Sequence, residues 1–135
     1  MLLDLNVTTT ADYTVVEVGD EVDVASAPEL RTCLNQTIDA GSRRLVVDLR
    51  QVTFLDSEGL GVLVGAQRRL LGHDHGEGSI QLVCADGLVV RILRLTGLDR
   101  VFPLHARLAD ALGGDSSQAD DQSGQRDDRS EPELA

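Results

Sequence analysis

Aromatic side chains are scarce in this sequence, and long apolar runs are absent. Aromatic residues make up 2% of the 135 residues, and tryptophan does not occur. A hydrophobic core must therefore be built from leucine, valine, isoleucine and alanine. No apolar run approaches the roughly 20 residues that a bilayer-spanning helix needs. The start, MLLDLNVTTT, has neither the basic segment nor the apolar stretch of a secretion signal. These absences predict a cytoplasmic protein with no membrane insertion.

Cysteine is equally rare. Cys33 and Cys84 are far apart and have none of the paired spacings of disulfide frameworks or zinc sites. We expect both to be small, buried apolar side chains, although a redox role stays open. No metal site and no cofactor are predicted.

Lysine is missing altogether, and all twelve basic residues are arginines. The formal net charge is −11, so the chain lacks the basic stripe that contact with nucleic acid requires. Residues 113–135 contain seven acids, two arginines and very few apolar side chains. This composition predicts a disordered acidic tail over residues 113–135, following one folded domain over residues 1–112.

The folded part alternates strand and helix patterns. Strands are predicted over residues 3–8, 13–18, 44–49 and 79–85, with a short extended segment at residues 101–105; the first two form a hairpin. Helices are predicted from Ser26 to about Gly41, from the Ser57 region to Gly72, over residues 89–96 and over residues 106–112. Ser26 and Glu29 match a capping box. The pattern predicts an α/β domain with a mixed sheet of four or five strands.

The stretch VTFLDSEGLGVLVG, residues 52–65, places Ser57 where a strand ends and a helix begins. Either Ser57 or Asp56 can cap that helix. A phosphate on Ser57 would lie at the positive end of the helix dipole, beside Asp56 and Glu58. The resulting cluster of negative charge would repel a partner that docks on the unmodified serine. Phosphorylation of Ser57 would therefore switch off the binding of such a partner.

Two enzymatic interpretations are weaker. Gly59, Gly61 and Gly65 approach a dinucleotide fingerprint, but the leucines between them already belong to the helix pattern, so Gly61 and Gly65 are better explained by close helix packing. No Gly-Lys-Ser/Thr follows, which excludes a P-loop. Hydrolysis by Ser57 would need a base, yet His73 and His75 lie beyond a helix roughly 22 Å long, and His105 is expected at the surface. We therefore predict no catalytic residues.

Four separated segments resemble one family. FLDSEGLGVLVGAQRRL resembles the DSSGLGVL signature of bacterial anti-sigma factor antagonists, which are STAS domains. VGDEVDVASAPELR, RLVVDLRQVTFLDS and VCADGLVVRILRLTGLDRVFPL are similar to the segments before and after it, in the same order. The resemblance covers about residues 3–112. It implies a mixed sheet with helices packed mostly on one face.

The resemblance also implies a non-enzymatic function in partner switching. The unphosphorylated antagonist of this family binds an anti-sigma factor that is also a serine kinase of the histidine-kinase-like ATPase fold, and the sigma factor is released. The kinase then phosphorylates the residue that corresponds to Ser57, and a PP2C-type phosphatase reverses the modification. Asp23 matches a family position near the serine. The docking rim implied in this way comprises Asp23, Asp56, Ser57, Glu58, Gly59, Leu60 and Gly61.

Glu58 departs from the family pattern, because many relatives have a small residue at this position. Three consequences of its permanent charge are open: weaker binding to the common kinase partner, selection of a partner with a compensating Arg or Lys, or a domain held partly in the non-binding state by a charge that resembles a weak phosphate mimic. The alternative function is a STAS docking or scaffold subunit of a lipid-transport or stress-signalling complex, with no phosphorylation switch.

Overall fold

The computed structural model describes residues 3–72 and 78–113. The strands are β1 (Asp4–Thr9), β2 (Thr14–Val22), β3 (Arg44–Leu55), β4 (Ser79–Val83) and β5 (Leu104–His105). The helices are α1 (Ala27–Asp39), α2 (Ser57–Leu71), α3 (Leu88–Leu95) and α4 (Leu108–Gly113), and a 3₁₀ turn spans Leu98–Arg100. His73, His75 and nearly all of the predicted tail lie outside the described residues.

The five strands form one mixed sheet in the order β1-β2-β3-β4-β5. β1 pairs with β2 in antiparallel orientation, and every other neighbouring pair is parallel. A parallel neighbour requires a crossover connection, which the helices between consecutive strands provide. The predicted α/β class and mixed sheet are confirmed.

The main core lies between the sheet and α1, α2 and α3. Alternate residues of the strands, such as Val16, Val47 and Leu82, pack there against leucines of the helices. Val15, Val46 and Val83 point to the opposite face, where α4 is the helix that packs against them, through Ala111 and its neighbouring leucines. Three of the four helices therefore share one face of the sheet, as the resemblance implied.

A buried carboxylate interrupts the apolar run of β3. Asp48 is 5% exposed on the face that α4 leaves partly open. The guanidinium of Arg50 donates to both of its oxygens, at 3.0 and 2.7 Å. This bidentate pair satisfies the carboxylate, since each oxygen receives a charge-assisted hydrogen bond. The strand can therefore remain buried on both faces without an unpaired charge.

β2 and β3 are longer than predicted. β2 continues through residues 19–22, which the sequence pattern assigned to a loop, and β3 continues to Leu55. The two extensions pair with each other across register shifts on either side of Gly19 and Asp20. Asp20 has a φ of 67°, a left-handed conformation that is uncommon outside glycine. Because of these irregularities, residues 19–22 could not be recognised as a strand in the sequence.

The predicted capping box at α1 is wrong. Ser26 is the N-cap residue, but its side chain makes no capping bond. Instead, its hydroxyl donates to the Glu21 carbonyl and accepts from the Asp23 amide. Glu29 accepts from the backbone amide of Leu3 rather than from that of Ser26. The connection from β2 to α1 is so short that the serine closes this turn instead.

β1 is more exposed than a half-buried strand. Leu5 is partly buried, whereas Val7 is 44% exposed. β1 is an edge strand, so it has a neighbour on one side only.

The two cysteines have unreactive environments. Burial raises the pKa of the Cys84 thiol to about 11, and the charge of Asp48 adds to the effect. Burial also raises the pKa of Cys33, which is partly buried. Because the thiolate is the reactive form, these environments do not favour a redox role.

The glycines of α2 have different roles from those predicted. A Cβ on Gly59 would lie 2.5 Å from Leu55 Cδ1 and 2.7 Å from Val22 Cγ1. No atom lies within 4 Å of a Cβ built on Gly61 or Gly65. The expected close packing at Gly61 and Gly65 is therefore wrong, because they line an open groove between α1 and α2. Gly59 is the residue that lets α2 approach the sheet.

This difference predicts opposite effects of the same substitution. Gly59→Ala should lower the free energy of unfolding by about 1–3 kcal/mol, the usual cost of overpacking a core. Gly61→Ala, the matched control in the same helix, should raise it by about 0.5–1 kcal/mol, since alanine loses less backbone entropy in a helix. Urea denaturation followed by circular dichroism measures both. Equal effects of the two substitutions would contradict the assigned packing.

Candidate functional site

The residues of interest meet at one edge of the sheet. β2, β3 and β4 run parallel, so their carboxyl ends lie at the same edge. α1 begins at Ala27 soon after β2, and α2 begins at Ser57 directly after β3. β2 and β3 continue beyond the end of β4, which is level with Asp48, and the part of the edge where they end, made of residues 20–26 and 53–61, is called the Ser57 edge below.

Asp56 fixes the start of α2. One of its carboxylate oxygens accepts hydrogen bonds from the backbone amides of Glu58 (2.9 Å) and Gly59 (3.2 Å). The Asp56 amide donates to the carbonyl of Val22 at 3.1 Å, which ties this corner to the end of β2. The sequence left the cap open between Asp56 and Ser57. The geometry assigns it to Asp56.

Ser57 is consequently the first residue inside α2, and its side chain is exposed. Its hydroxyl makes no hydrogen bond with any residue in the described ranges. A cap hydroxyl would be occupied by the first-turn amides, whereas this one is available to another molecule. The serine is therefore chemically accessible at the positive end of a helix dipole.

The residues after Ser57 differ in exposure. Glu58 and Gly61 are exposed, and Leu60 is partly buried against the core. Gly59 is buried against Leu55 and Val22, so it supports the edge by packing and presents no surface to a partner. Of this part of the predicted rim, Glu58, Leu60 and Gly61 remain available for contact.

Asp23 lies in the turn that leads from β2 to α1. Its carboxylate accepts from the amides of Ala25 (3.0 Å) and Ser26 (3.1 Å), and its carbonyl accepts from the amide of Ala27 at 2.7 Å. Since Asp23 follows Val22, the partner of the Asp56 amide, the structure brings the two aspartates to neighbouring strand ends. Asp23 is thus both a turn-forming residue and part of the Ser57 edge.

The Ser57 edge is uniformly acidic. Its two segments contain no arginine and five acids, which are Asp20, Glu21, Asp23, Asp56 and Glu58. Several of these acids border a cavity of about 400 Å³ between the end of β2 and the start of α1. Every cationic side chain of the described ranges lies elsewhere.

Two apolar side chains of this edge were missed by the sequence interpretation. Val24 is 69% exposed and Phe54 is 39% exposed. Phe54 pairs in register with Glu21, so an aromatic ring lies within the acidic surface. In the sequence Phe54 is indistinguishable from an ordinary strand residue, so its exposure could not be predicted. Together they give the edge apolar contact area.

The one histidine in the described ranges lies away from Ser57. The ring of His105 is 2.6 Å from the Gln81 side chain, on the β4–β5 side of the sheet and away from the end of β3. His105 is partly buried there rather than at the surface. No group of three or more metal-ligating side chains occurs among the described residues. None of their helices is long and apolar enough to cross a membrane.

Sequence comparison identifies the family. The STAS domain model matches residues 4–111. The chain is 33% identical over 98 residues to an anti-sigma-B factor antagonist of Staphylococcus aureus (strain NCTC 8325 / PS 47), an alignment that covers 73% of this chain and 88% of that protein. It is 34% identical over 110 residues to the anti-sigma-F factor antagonist RsfB of Mycobacterium tuberculosis (strain CDC 1551 / Oshkosh), covering 78% and 86%.

Solved structures agree with this assignment. The crystal structure of an anti-sigma factor antagonist from Mycobacterium paratuberculosis superposes with a TM-score of 0.73 at 32% identity, covering 82% of this chain and 91% of that one. The phosphorylated form of the Bacillus cell fate determinant SpoIIAA shares the fold, with a TM-score of 0.62 at 20% identity over 82% and 96% of the two chains. The chain belongs to the STAS domain family and is similar throughout its folded part to bacterial anti-sigma factor antagonists.

Proposed function

We propose that this STAS domain is a non-enzymatic anti-sigma factor antagonist whose binding is switched off by phosphorylation of Ser57. The observation that carries the proposal is that Asp56 and Ser57 have different roles at the start of α2. Asp56 makes the capping bonds, so the hydroxyl of Ser57 is exposed and unbonded. A kinase can reach it without breaking a structural hydrogen bond.

The proposed partner is an anti-sigma factor with a serine-kinase, histidine-kinase-like ATPase fold. In the unphosphorylated state it docks on the Ser57 edge through Val24, Phe54 and Leu60, with Asp23, Asp56, Glu58 and Gly61 around them. Docking releases the sigma factor. A PP2C-type phosphatase removes the phosphate again, and the cycle takes place in the cytoplasm.

Electrostatics explain why a phosphate would end the complex. A phosphoserine adds about 1.5 to 2 negative charges, here to an edge that holds five acids and no arginine. A docked kinase brings the phosphates of its nucleotide to the same hydroxyl, so a phosphate on Ser57 meets like charge there. Burying the dianion in the contact would also remove its hydration.

The same phosphate would not unfold the domain. It would lie in the first turn of α2, where a negative charge is favoured by about 0.3–1 kcal/mol. The proposed switch therefore acts on the surface that the partner meets and leaves the fold intact.

Glu58 supports a second candidate, a docking or scaffold subunit without a switch. Glu58 is exposed directly beside Ser57, and its charge does not depend on phosphorylation. If that charge already prevents a kinase from aligning with the hydroxyl, the edge binds its partner constitutively. The two candidates differ in whether Ser57 accepts a phosphate.

Phosphate transfer decides between them. Incubation with ATP and each kinase-type anti-sigma factor of the source organism should add one phosphate to the chain, measured as intact mass. The Ser57→Ala variant should add none. Thr53→Ala, another hydroxyl at the same edge, is the matched control and should still be phosphorylated.

Absence of any phosphate on the wild-type chain with every such kinase would contradict the switch and favour the scaffold. If Glu58→Ser then restores transfer, the acidic neighbour is the cause.

The capping role of Asp56 predicts a large effect for one substitution and a small effect for another. Asp56→Ala should lower the free energy of unfolding by about 1 kcal/mol, since two first-turn amides lose their acceptor. It should also slow phosphorylation of Ser57, because the first turn then frays. Asp56→Asn keeps an acceptor oxygen and should change stability by only a few tenths of a kcal/mol. Thermal unfolding and the rate of phosphate incorporation measure the two effects. Equal behaviour of both variants would show that the cap does not present Ser57.

A further inference from the structure

The outward side of α3 is apolar where a surface helix is normally polar. Val89, Val90 and Leu93 pack into the core. Leu88 and Leu95 are seven residues apart and lie on the opposite side, 49% and 79% exposed. No other large hydrophobic side chain in the described ranges is as exposed as Leu95. A helix that is apolar on both sides is normally covered on both.

Positive charge accompanies these leucines. Arg91 is three residues after Leu88 and four before Leu95, so it shares their side of α3, and Arg94 flanks it. Both arginines are exposed, and neither side chain forms an ion pair or hydrogen bond within the described ranges. α3 contains no acid. Leu88, Arg91, Arg94 and Leu95 are called the arginine–leucine face below.

We infer that the arginine–leucine face is a second docking surface, and that its occupant is an acidic amphipathic helix of a partner protein. Leucines seven residues apart match the heptad spacing at which helices pack side by side. The unpaired arginines beside that seam select a helix with Glu or Asp next to its own apolar stripe. A net charge of −11 leaves few such cationic surfaces on this chain.

Charge and composition rule out two other occupants. The same face of a second copy would place arginine against arginine, which is repulsive. Residues 114–135 of this chain are acidic, but Leu134 is their only large apolar residue. They could approach the arginines, yet they could not cover Leu88 and Leu95.

The inference does not depend on the function of Ser57. The Ser57 edge is acidic and calls for a partner surface of the opposite sign, whereas the arginine–leucine face is cationic. A protein with both surfaces can hold two partners at once, and a phosphate on Ser57 leaves the second contact unchanged.

The test uses the full-length, ¹⁵N-labelled chain and a synthetic three-heptad peptide with Leu at positions a and d and Glu at e and g. Amide chemical shifts are followed during titration. We expect saturable shifts centred on residues 88–95, and an affinity at least tenfold lower for the same peptide with Lys in place of Glu. Leu95→Ser should weaken binding roughly tenfold, the effect of one buried leucine. Arg91→Gln should reduce both affinity and its salt dependence.

Val7→Ser is the matched control, because Val7 is an exposed apolar residue on distant β1; it should bind like the wild type. Ser57→Asp should also bind like the wild type, which separates this result from any failure of the phosphorylation switch. Equal binding of the Glu and Lys peptides, or no shift in residues 88–95 at millimolar peptide, would overturn the inference. Self-association of the free chain that Leu95→Ser abolishes would also overturn it, since the occupant would then be a second copy.

Discussion

The corner at Asp56 is the constraint on which the Ser57 edge depends. One carboxylate oxygen holds two first-turn amides of α2, while the amide of the same residue is bonded to the end of β2. A helix start is thereby fixed to a sheet edge by one residue. Ser57, the next residue, is positioned by these bonds of Asp56, and its own hydroxyl is not needed to hold the helix start. A reactive group presented on a rigid element is positioned more accurately than one on a loop.

Close packing below that corner completes the arrangement. A Cβ at Gly59 would force Leu55 and Val22 to shift, because their side chains occupy the space where it would lie. β2 and β3 must therefore both continue to this edge, and their paired extensions do so. The left-handed Asp20 and the turn at Asp23 then bring the chain round into α1. The ends of β2 and β3, together with the starts of α1 and α2, thereby bring the five acids of the Ser57 edge to one surface.

Much of this fold could be predicted from the sequence, and the errors have local physical causes. The strand at residues 44–49 and the helix after Ser57 were recognisable because apolar periodicity and helix caps depend only on residues close together in the sequence. The end of β2 was not recognisable, since bulges break the alternation that marks a strand. Ser26 and Glu29 matched a capping box by spacing alone, but their actual partners depend on a turn and on β1. For the candidate site, the position of Ser57 and its acidic neighbours at the start of a helix could be predicted, whereas the exposure of Phe54 and Leu95 depends on which tertiary neighbours are missing.

The central claim is that a phosphate on Ser57 separates the antagonist from its kinase-type anti-sigma factor. The most direct measurement compares the affinity of that factor for two forms of the chain, one with serine at position 57 and one with phosphoserine introduced during translation. Isothermal titration calorimetry in the presence of ADP provides both values. The proposed switch predicts at least a hundredfold weaker binding of the phosphorylated form, with a melting temperature no lower than that of the serine form. Equal affinities would contradict it.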